Sequence, residues 1–141
     1  MSPQVDSTTI TITTTTPEPT ATSGTELTSS HTCADGICKI TFSDGTEFNC
    51  LWNNVNYIQC RGIPYVQPPT GDRRWTPSEI IQTYNGETFT NTEYKPMCPG
   101  ENWDGLNSGF SEDCLYVNLH LDKRNLDSGT KVPIVYYIHG G

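Results

Sequence analysis

Six cysteines in a chain of 141 residues constrain this protein more than any other feature of its sequence. An even number of cysteines in so short a chain favours pairing into disulfides, which form in an oxidising compartment. Four thiolates on a zinc ion are the rival interpretation, but the spacings lack the paired Cys-x-x-Cys knuckles that are typical of such sites. We therefore predict a disulfide-bonded, secreted or luminal protein without a metal.

The N-terminal segment does not show the signal that export would require. Met1 to Asp6 has no basic start, and no apolar run follows it. Two interpretations stay open: the true start lies upstream, or the inference about the compartment is wrong.

The charge balance excludes two classes of partner. The chain has 8 basic against 16 acidic residues, a net charge of -8, and no cluster of Lys and Arg. No patch is present that could neutralise phosphates or hold an anionic lipid surface, so we expect no nucleic acid and no membrane surface as partner. No apolar run approaches the roughly 18 residues that a membrane span needs.

Residues 1–32 are predicted to be a disordered leader. More than half of residues 1–30 are Ser or Thr, a composition with too little apolar surface to offset the entropy cost of ordering. A glycosylated, mucin-like stalk and a plain linker or mis-annotated upstream sequence fit this composition equally well. The ordered domain is expected to cover residues 33–141, beginning near Cys33.

Alternating apolar residues on both sides of Ser43-Asp44-Gly45 predict a β-hairpin. A three-residue loop with Gly45 in the left-handed region pairs Ile40 with Phe48, so that apolar side chains share one face. A two-residue loop would instead set the apolar face against the polar one.

The same register places Cys38 opposite Cys50 on the two strands of the hairpin. We therefore expect a Cys38–Cys50 disulfide. The partners of Cys33 and Cys60 are left open.

The remaining pattern predicts strands and loops with little helix. Val55 to Cys60 is expected to form a third strand, and residues 73–112 are expected to form irregular loops with short strands. Leu115 to Leu121 alternates as a strand with one buried face does, whereas 132–138 is apolar throughout, like a strand covered on both faces. The link between them is too short for a helical crossover, so these two strands should be antiparallel if they are neighbours.

Several short motifs are much more specific than this pattern. They are Gly62-Ile63-Pro64-Tyr65-Val66-Gln67-Pro68-Pro69 with Gly71 and Arg74-Trp75 following, Cys98-Pro99, Ser111-Glu112-Asp113-Cys114-Leu115-Tyr116-Val117-Asn118, and the final His139-Gly140-Gly141. In this order and spacing they resemble the N-terminal signatures of the type-B carboxylesterase/cholinesterase family. The resemblance spans residues 37–141 and implies the truncated N-terminal part of an α/β-hydrolase domain.

Two pairings are implied by this resemblance. In the family the two matching cysteines form a disulfide, which implies Cys98–Cys114 here, although two free buried thiols are the alternative. Closing that loop should restrict the unfolded chain by about 3 kcal/mol. The family also implies an ion pair between Arg74 and Glu112, which indicates fixed geometry more than net stability.

The resemblance further implies that Gly140 and Gly141 form part of an oxyanion hole. In relatives, backbone amides of a glycine run donate to the tetrahedral oxyanion, and Gly141 corresponds to the second glycine of that run. Without this context, a Gly-Gly pair after a strand is more typical of a plain turn.

The chain holds no complete catalytic triad. It contains no Gly-x-Ser-x-Gly elbow, and none of its three histidines (His31, His120 and His139) is placed as a general base. We therefore expect an inactive fragment of a serine esterase or lipase-like enzyme that uses an acyl-enzyme, with a small-molecule carboxylic ester as the parent's substrate and no cofactor.

A non-catalytic cholinesterase-like protein, used for adhesion or as a secreted structural module, is the alternative function. The truncated chain as a mature product is disfavoured, because its last apolar strand would be open to water. The sequence indicates neither the ester nor the oligomeric state.

Overall fold

The computed structural model describes residues 28–100, 109–129 and 131–138. In these residues one sheet runs in the order β1-β2-β3-β4-β6, and β5 pairs with β3. The strands are β1 (Ser29–Ala34), β2 (Ile37–Phe42), β3 (Glu47–Trp52), β4 (Tyr57–Pro64), β5 (Thr88–Asn91) and β6 (Tyr116–Asp122). Helix is confined in the described ranges to a 3-10 turn at Gly71–Arg73 and to α1 (Lys123–Ser128), so the predicted scarcity of helix is confirmed.

The hairpin formed by β2 and β3 has the predicted register and loop. Ile40 pairs with Phe48 across the two strands. The Phe42 amide donates to the Thr46 carbonyl at 2.8 Å, and Gly45 adopts a φ of 86° in the left-handed region. Glycine suits this position because it carries no Cβ to clash there.

Strand β1 begins earlier than the sequence pattern indicated. It starts at Ser29, inside the residues assigned to the leader, and pairs antiparallel with β2 along its whole length. Its residues are mostly polar, so no apolar alternation marked it as a strand. β1 is a strand because its backbone groups form hydrogen bonds with the edge of β2, and the sequence of β1 does not show this. Residues 1–27 of the predicted leader lie outside the described residues.

One edge of β3 is divided between two neighbours. The part from Glu47 to Cys50 pairs in parallel with β5, whereas Leu51 and Trp52 pair antiparallel with β4. The contact between β3 and β4 is consequently short. Beyond it, β4 pairs extensively with β6, with an irregularity between Cys60 and Ile63.

The hydrophobic core lies on one face of this sheet. The Phe48 ring lies 5.4 Å from the rings of both Tyr84 and Phe89, between centroids, and the residues 73–112 supply these two aromatic rings. The buried members of the core are Cys38, Ile40, Phe48, Cys50, Ile58, Cys60 and Ile63. Tyr84 and Phe89, from the segment predicted to be loop-rich, therefore pack against the core.

Helix α1 follows β6 directly and occupies most of the link between residues 122 and 131, which is too short for a helical crossover. The Asp122 side chain accepts a hydrogen bond from the Arg124 amide at 2.9 Å and so caps the first turn. Gly129 ends the helix with a φ of 63°.

The prediction of a buried strand over residues 132–138 is wrong for this structure. No strand of the described chain pairs with these residues, and Val135 is 92% exposed. A strand forms only where a neighbour accepts and donates its backbone hydrogen bonds, and the apolar sequence cannot supply that neighbour. The apolar side chains of this segment are exposed: Val132, Ile134, Val135, Tyr136, Tyr137 and Ile138.

Candidate functional site

The expected Cys38–Cys50 disulfide is wrong, although the register that suggested it is correct. Cys38 does lie opposite Cys50. The structure nevertheless joins Cys38 to Cys33 of β1 and joins Cys50 to Cys60 of β4. β2 has β1 as its second neighbour and β3 has β4, so each of these two cysteines has an alternative partner on an adjacent strand. The sequence pattern does not reveal β1.

All six cysteines lie in disulfides, so no thiolates are left for the zinc alternative. No cluster of metal-ligating side chains occurs elsewhere in the described residues.

The structure brings together both pairs that the family resemblance implied. Cys98 and Cys114 form a disulfide. The Arg74 guanidinium contacts the Glu112 carboxylate at 2.6 Å, with side chains that are 48% and 35% exposed. The ion pair is thus partly exposed to solvent, and water screens much of the attraction between its two charges.

These two links hold three separate loops side by side. Arg74 comes directly after the 3-10 turn, Cys98 comes from the segment that follows β5, and Glu112 and Cys114 lead into β6. The shallow depression between the loops is lined by Pro69, Arg74, Trp75, Pro99, Glu112 and Cys114. The Cys98–Cys114 disulfide and the Arg74–Glu112 ion pair therefore hold the residues that lead into β6 against the two other loops.

Asn118 and Gly62 form a contact that the sequence reasoning missed. The Gly62 amide donates to the Asn118 side-chain oxygen at 2.8 Å, across the irregular part of the pairing between β4 and β6. Asn91, which is 1% exposed, donates from its side-chain nitrogen to the Arg61 carbonyl at 3.0 Å on the same stretch of β4. Because a bulge leaves backbone groups without ladder partners, polar side chains must satisfy them. The sequence feature that could have predicted this contact is Asn118 itself, the last residue of the motif from Ser111 to Asn118.

Tyr116, the first residue of β6, is held in place by Asp113. Its hydroxyl donates to a carboxylate oxygen of Asp113 at 2.8 Å. Burial, together with this hydrogen bond and the negative charge of Asp113, raises the pKa of Tyr116 to about 12. The phenol therefore stays protonated at neutral pH, which suits an orienting role and not that of a base.

A larger cleft of about 500 Å³ lies between the end of β4, β5 and the start of β6. Gly62, Tyr84, Phe89, Lys95 and Tyr116 are among its lining residues. None of the predicted site residues that lie within the described part of the chain lines it. The cleft and the signature pairs are separate features of the described chain.

Two of the histidines have ordinary structural partners. His31 contacts Asp127 of α1 at 2.8 Å, and His120 bonds to the Tyr57 hydroxyl. His139, Gly140 and Gly141 lie outside the described residues. The geometry of the predicted oxyanion donors thus stays a prediction.

Comparison with known proteins gives the family. A family model described as "Carboxylesterase family" matches residues 43–141. The chain belongs to the carboxylesterase family. The predicted family and the strand-rich α/β-hydrolase class with little helix are both confirmed.

Individual carboxylesterase relatives match part of this chain. Carboxylesterase 1C of Rattus norvegicus is 33% identical over 93 residues, which are 57% of this chain and 17% of that protein. Neuroligin-like protein glit-1 of Caenorhabditis elegans is 30% identical over 112 residues, covering 70% of this chain and 15% of that protein. The solved structure of PNB esterase is 30% identical with a TM-score of 0.46, covering 58% of this chain and 16% of the other. The chain therefore spans a small part of the length of the relatives it matches.

None of the helices among the described residues has both the length and the apolar character needed to cross a membrane.

Proposed function

We propose that this protein supplies the N-terminal scaffold and part of the oxyanion hole of a secreted carboxylic ester hydrolase. The observation that carries the proposal is the joint closure of the signature loops by the Cys98–Cys114 disulfide and the 2.6 Å contact between Arg74 and Glu112. One member of each pair, Glu112 or Cys114, lies shortly before β6, and its partner, Arg74 or Cys98, lies on a loop earlier in the chain. Fixing the start of β6 restricts the path of the chain that leads towards Gly140 and Gly141.

In this proposal the chemistry is divided between this chain and a segment outside the printed sequence. Acyl transfer needs a serine on an elbow, a histidine base and an acid, together with amide donors for the oxyanion. The backbone amides of Gly140 and Gly141 are the donors that we assign to this chain. The serine, histidine and acid are assigned to the further segment, so the printed chain alone has no esterase activity.

The test compares the printed chain with a polypeptide extended by the codons that follow Gly141 in the transcript. Both are assayed with p-nitrophenyl butyrate and with a fluorophosphonate that labels activated serines. We expect labelling and turnover only in the extended polypeptide. Replacing the labelled serine by Ala is the matched control and should abolish both signals.

A further variant tests the assignment of the amide donor in the extended polypeptide. Gly141→Pro removes the backbone N–H and should lower kcat about 100- to 1000-fold, the usual effect of losing one oxyanion donor. Gly141→Ala keeps the N–H and serves as the control. An extended polypeptide that neither takes the label nor turns over ester contradicts the proposal.

That negative outcome would favour the second candidate, a non-catalytic member of the family with an adhesive or structural role. One observation supports keeping this candidate: a matching relative carries the name Neuroligin-like protein and not that of an esterase. The decisive feature is the residue at the elbow. If the residue at that position is neither Ser nor any other nucleophile, the non-catalytic function is favoured.

Secretion is part of the proposal and rests on the disulfides. All six cysteines are paired, which fits an oxidising compartment. Expression of the complete transcript in cultured cells should place the protein in the medium with no alkylatable thiols. Retention in the cytosol with free thiols would contradict this.

A further inference from the structure

Four cysteines form one continuous row across four neighbouring strands. Cys33 of β1 lies opposite Cys38 of β2, and Cys38 in turn lies opposite Cys50 of β3. Cys50 is bonded to Cys60 of β4. Residues directly opposite each other in a sheet project from the same face, so all four sulfur atoms lie on the core side of the sheet.

The two disulfides of this row are therefore adjacent, with Cys38 of one facing Cys50 of the other. Bonds join Cys33 to Cys38 and Cys50 to Cys60, and the position between Cys38 and Cys50 carries none. A sulfur at Cys38 has two cysteines as cross-strand neighbours. Register alone permits either of them as its partner.

The four cysteines of the row differ in their exposure to solvent, and the most exposed one lies at one end of the row. Cys38 and Cys50 are fully buried and Cys60 is 1% exposed, whereas Cys33 is only partly buried. Cys33 also lies on β1, which is the first strand in the sheet order. Because reaction of a disulfide requires access to a sulfur, an external thiol reaches Cys33 before the other three.

We propose that this row is a thiol–disulfide exchange site, which a dithiol reductant enters at Cys33 and which moves a disulfide from Cys50–Cys60 to Cys38–Cys50. A thiolate of the dithiol attacks the sulfur of Cys33, forms a mixed disulfide and breaks the Cys33–Cys38 bond. The second thiol of the reductant resolves the mixed disulfide, which leaves Cys33 as a thiol and the reductant oxidised.

The second step is internal and needs no further reagent. The Cys38 thiolate attacks the sulfur of Cys50 and breaks the Cys50–Cys60 bond, and the Cys60 sulfur takes up the proton that Cys38 lost. One disulfide is broken and one is formed, so electrons balance without another oxidant or reductant. The Cys38–Cys50 and Cys50–Cys60 bonds close loops of similar length, so loop entropy favours neither product strongly.

The exchange changes which parts of the sheet are covalently joined. In the starting structure the Cys50–Cys60 bond links β3 to β4, whose ladder contact is limited to the pairs of Leu51 with Gln59 and of Trp52 with Ile58. After exchange the bond joins β2 to β3, which already share a long ladder. The contact between β3 and β4 then rests on its short ladder and on side-chain packing.

Trypsin gives a direct test on the full chain. It cleaves after Lys39 and after Arg61, so Cys33 and Cys38 lie on one peptide while Cys50 and Cys60 lie on the next. The starting disulfides are internal to these two peptides, and only an exchanged disulfide links them. The protein is treated with a limiting amount of dithiothreitol, quenched with acid, alkylated and digested, and the peptides are measured by mass spectrometry.

We expect a linked pair of peptides joined through Cys38 and Cys50, with alkylated Cys33 and Cys60. Its amount should lie within about tenfold of the internal Cys50–Cys60 product, because the loops are of similar length. Partial reduction without any linked pair would overturn the proposal. Linkage through Cys33 at a comparable level would also overturn it, since it would indicate random scrambling.

Two variants provide a matched comparison without reductant. Cys33→Ser leaves Cys38 free beside the Cys50–Cys60 bond and should produce the linked peptides spontaneously at neutral pH. Cys38→Ser leaves the single thiol at Cys33, separated from Cys50 by a strand, and should produce none. Equal amounts of linked peptides from the two variants would contradict the inference, and the measurement on the unmodified chain stands even if a variant fails to fold.

Discussion

The amide of Gly62 and the side-chain oxygen of Asn118 are joined by a 2.8 Å hydrogen bond that links two separate signature motifs. Gly62 adopts a φ of 67°, a backbone conformation that L side chains rarely take. The irregular pairing between Cys60 and Ile63 leaves this amide facing β6 without a regular ladder partner. Asn118 supplies the acceptor that the ladder does not.

Replacing Asn118 by Ala should therefore destabilise the protein. The loss is expected to be about 1 kcal/mol in the free energy of unfolding, the usual net contribution of such a hydrogen bond. Asn118→Asp keeps an acceptor oxygen and serves as the control. Urea unfolding followed by tryptophan fluorescence measures both variants, and equal stabilities for the Ala and Asp variants would contradict the assigned role.

Removing the Cys98–Cys114 bond should lower stability more. The cysteines are separated by 16 positions, and opening a loop of that size costs about 3 kcal/mol in the chain-entropy account. The double variant Cys98→Ala with Cys114→Ala avoids leaving a reactive thiol. Its urea midpoint should fall well below that of Asn118→Ala, and a midpoint equal to that of the unmodified chain would show that the loop is held by other contacts.

The ion pair of Arg74 with Glu112 should contribute little net stability. Its side chains are 48% and 35% exposed, and exposed pairs contribute about 0 to 1 kcal/mol in double-mutant cycles. The cycle combines Arg74→Met, Glu112→Gln and the double variant, measured at low and at high salt. A coupling energy above about 2 kcal/mol that salt does not reduce would show that water screens the pair less than its exposure indicates.

Tyr116 should titrate abnormally late as pH rises. Burial and the contact with Asp113 raise its pKa to about 12 in the folded protein, above the ordinary value near 10 of the unfolded chain. The stabilising contribution of the neutral phenol is therefore complete below about pH 10 and is lost as pH rises from about 10 towards 12.

The phenolate absorbance near 295 nm, compared between the unmodified chain and Tyr116→Phe, isolates this titration. We expect the difference signal to rise near pH 12. A difference titration centred at about pH 10 would contradict the role of burial and of Asp113.

The exposed segment 132–138 shows the limit of pattern reasoning for single strands. An uninterrupted apolar run is what a strand covered on both faces requires, yet the side chains of Ile134 and Val135 are 83% and 92% exposed. β1 shows the converse, since a polar sequence becomes a strand because the edge of β2 accepts it. In both cases the presence or absence of a neighbouring strand determines whether the segment forms a strand. The local sequence pattern carries no information about that neighbour.

The sequence by itself determined the β2–β3 hairpin and its register, the scarcity of helix and the family. These follow from side-chain alternation, turn chemistry and motifs that lie close together along the chain. Only the tertiary structure decided how Cys33, Cys38, Cys50 and Cys60 pair and that Asn118 satisfies Gly62. The physical reason is that both outcomes depend on which strands become neighbours, and β4 and β6 meet across a long stretch of intervening chain.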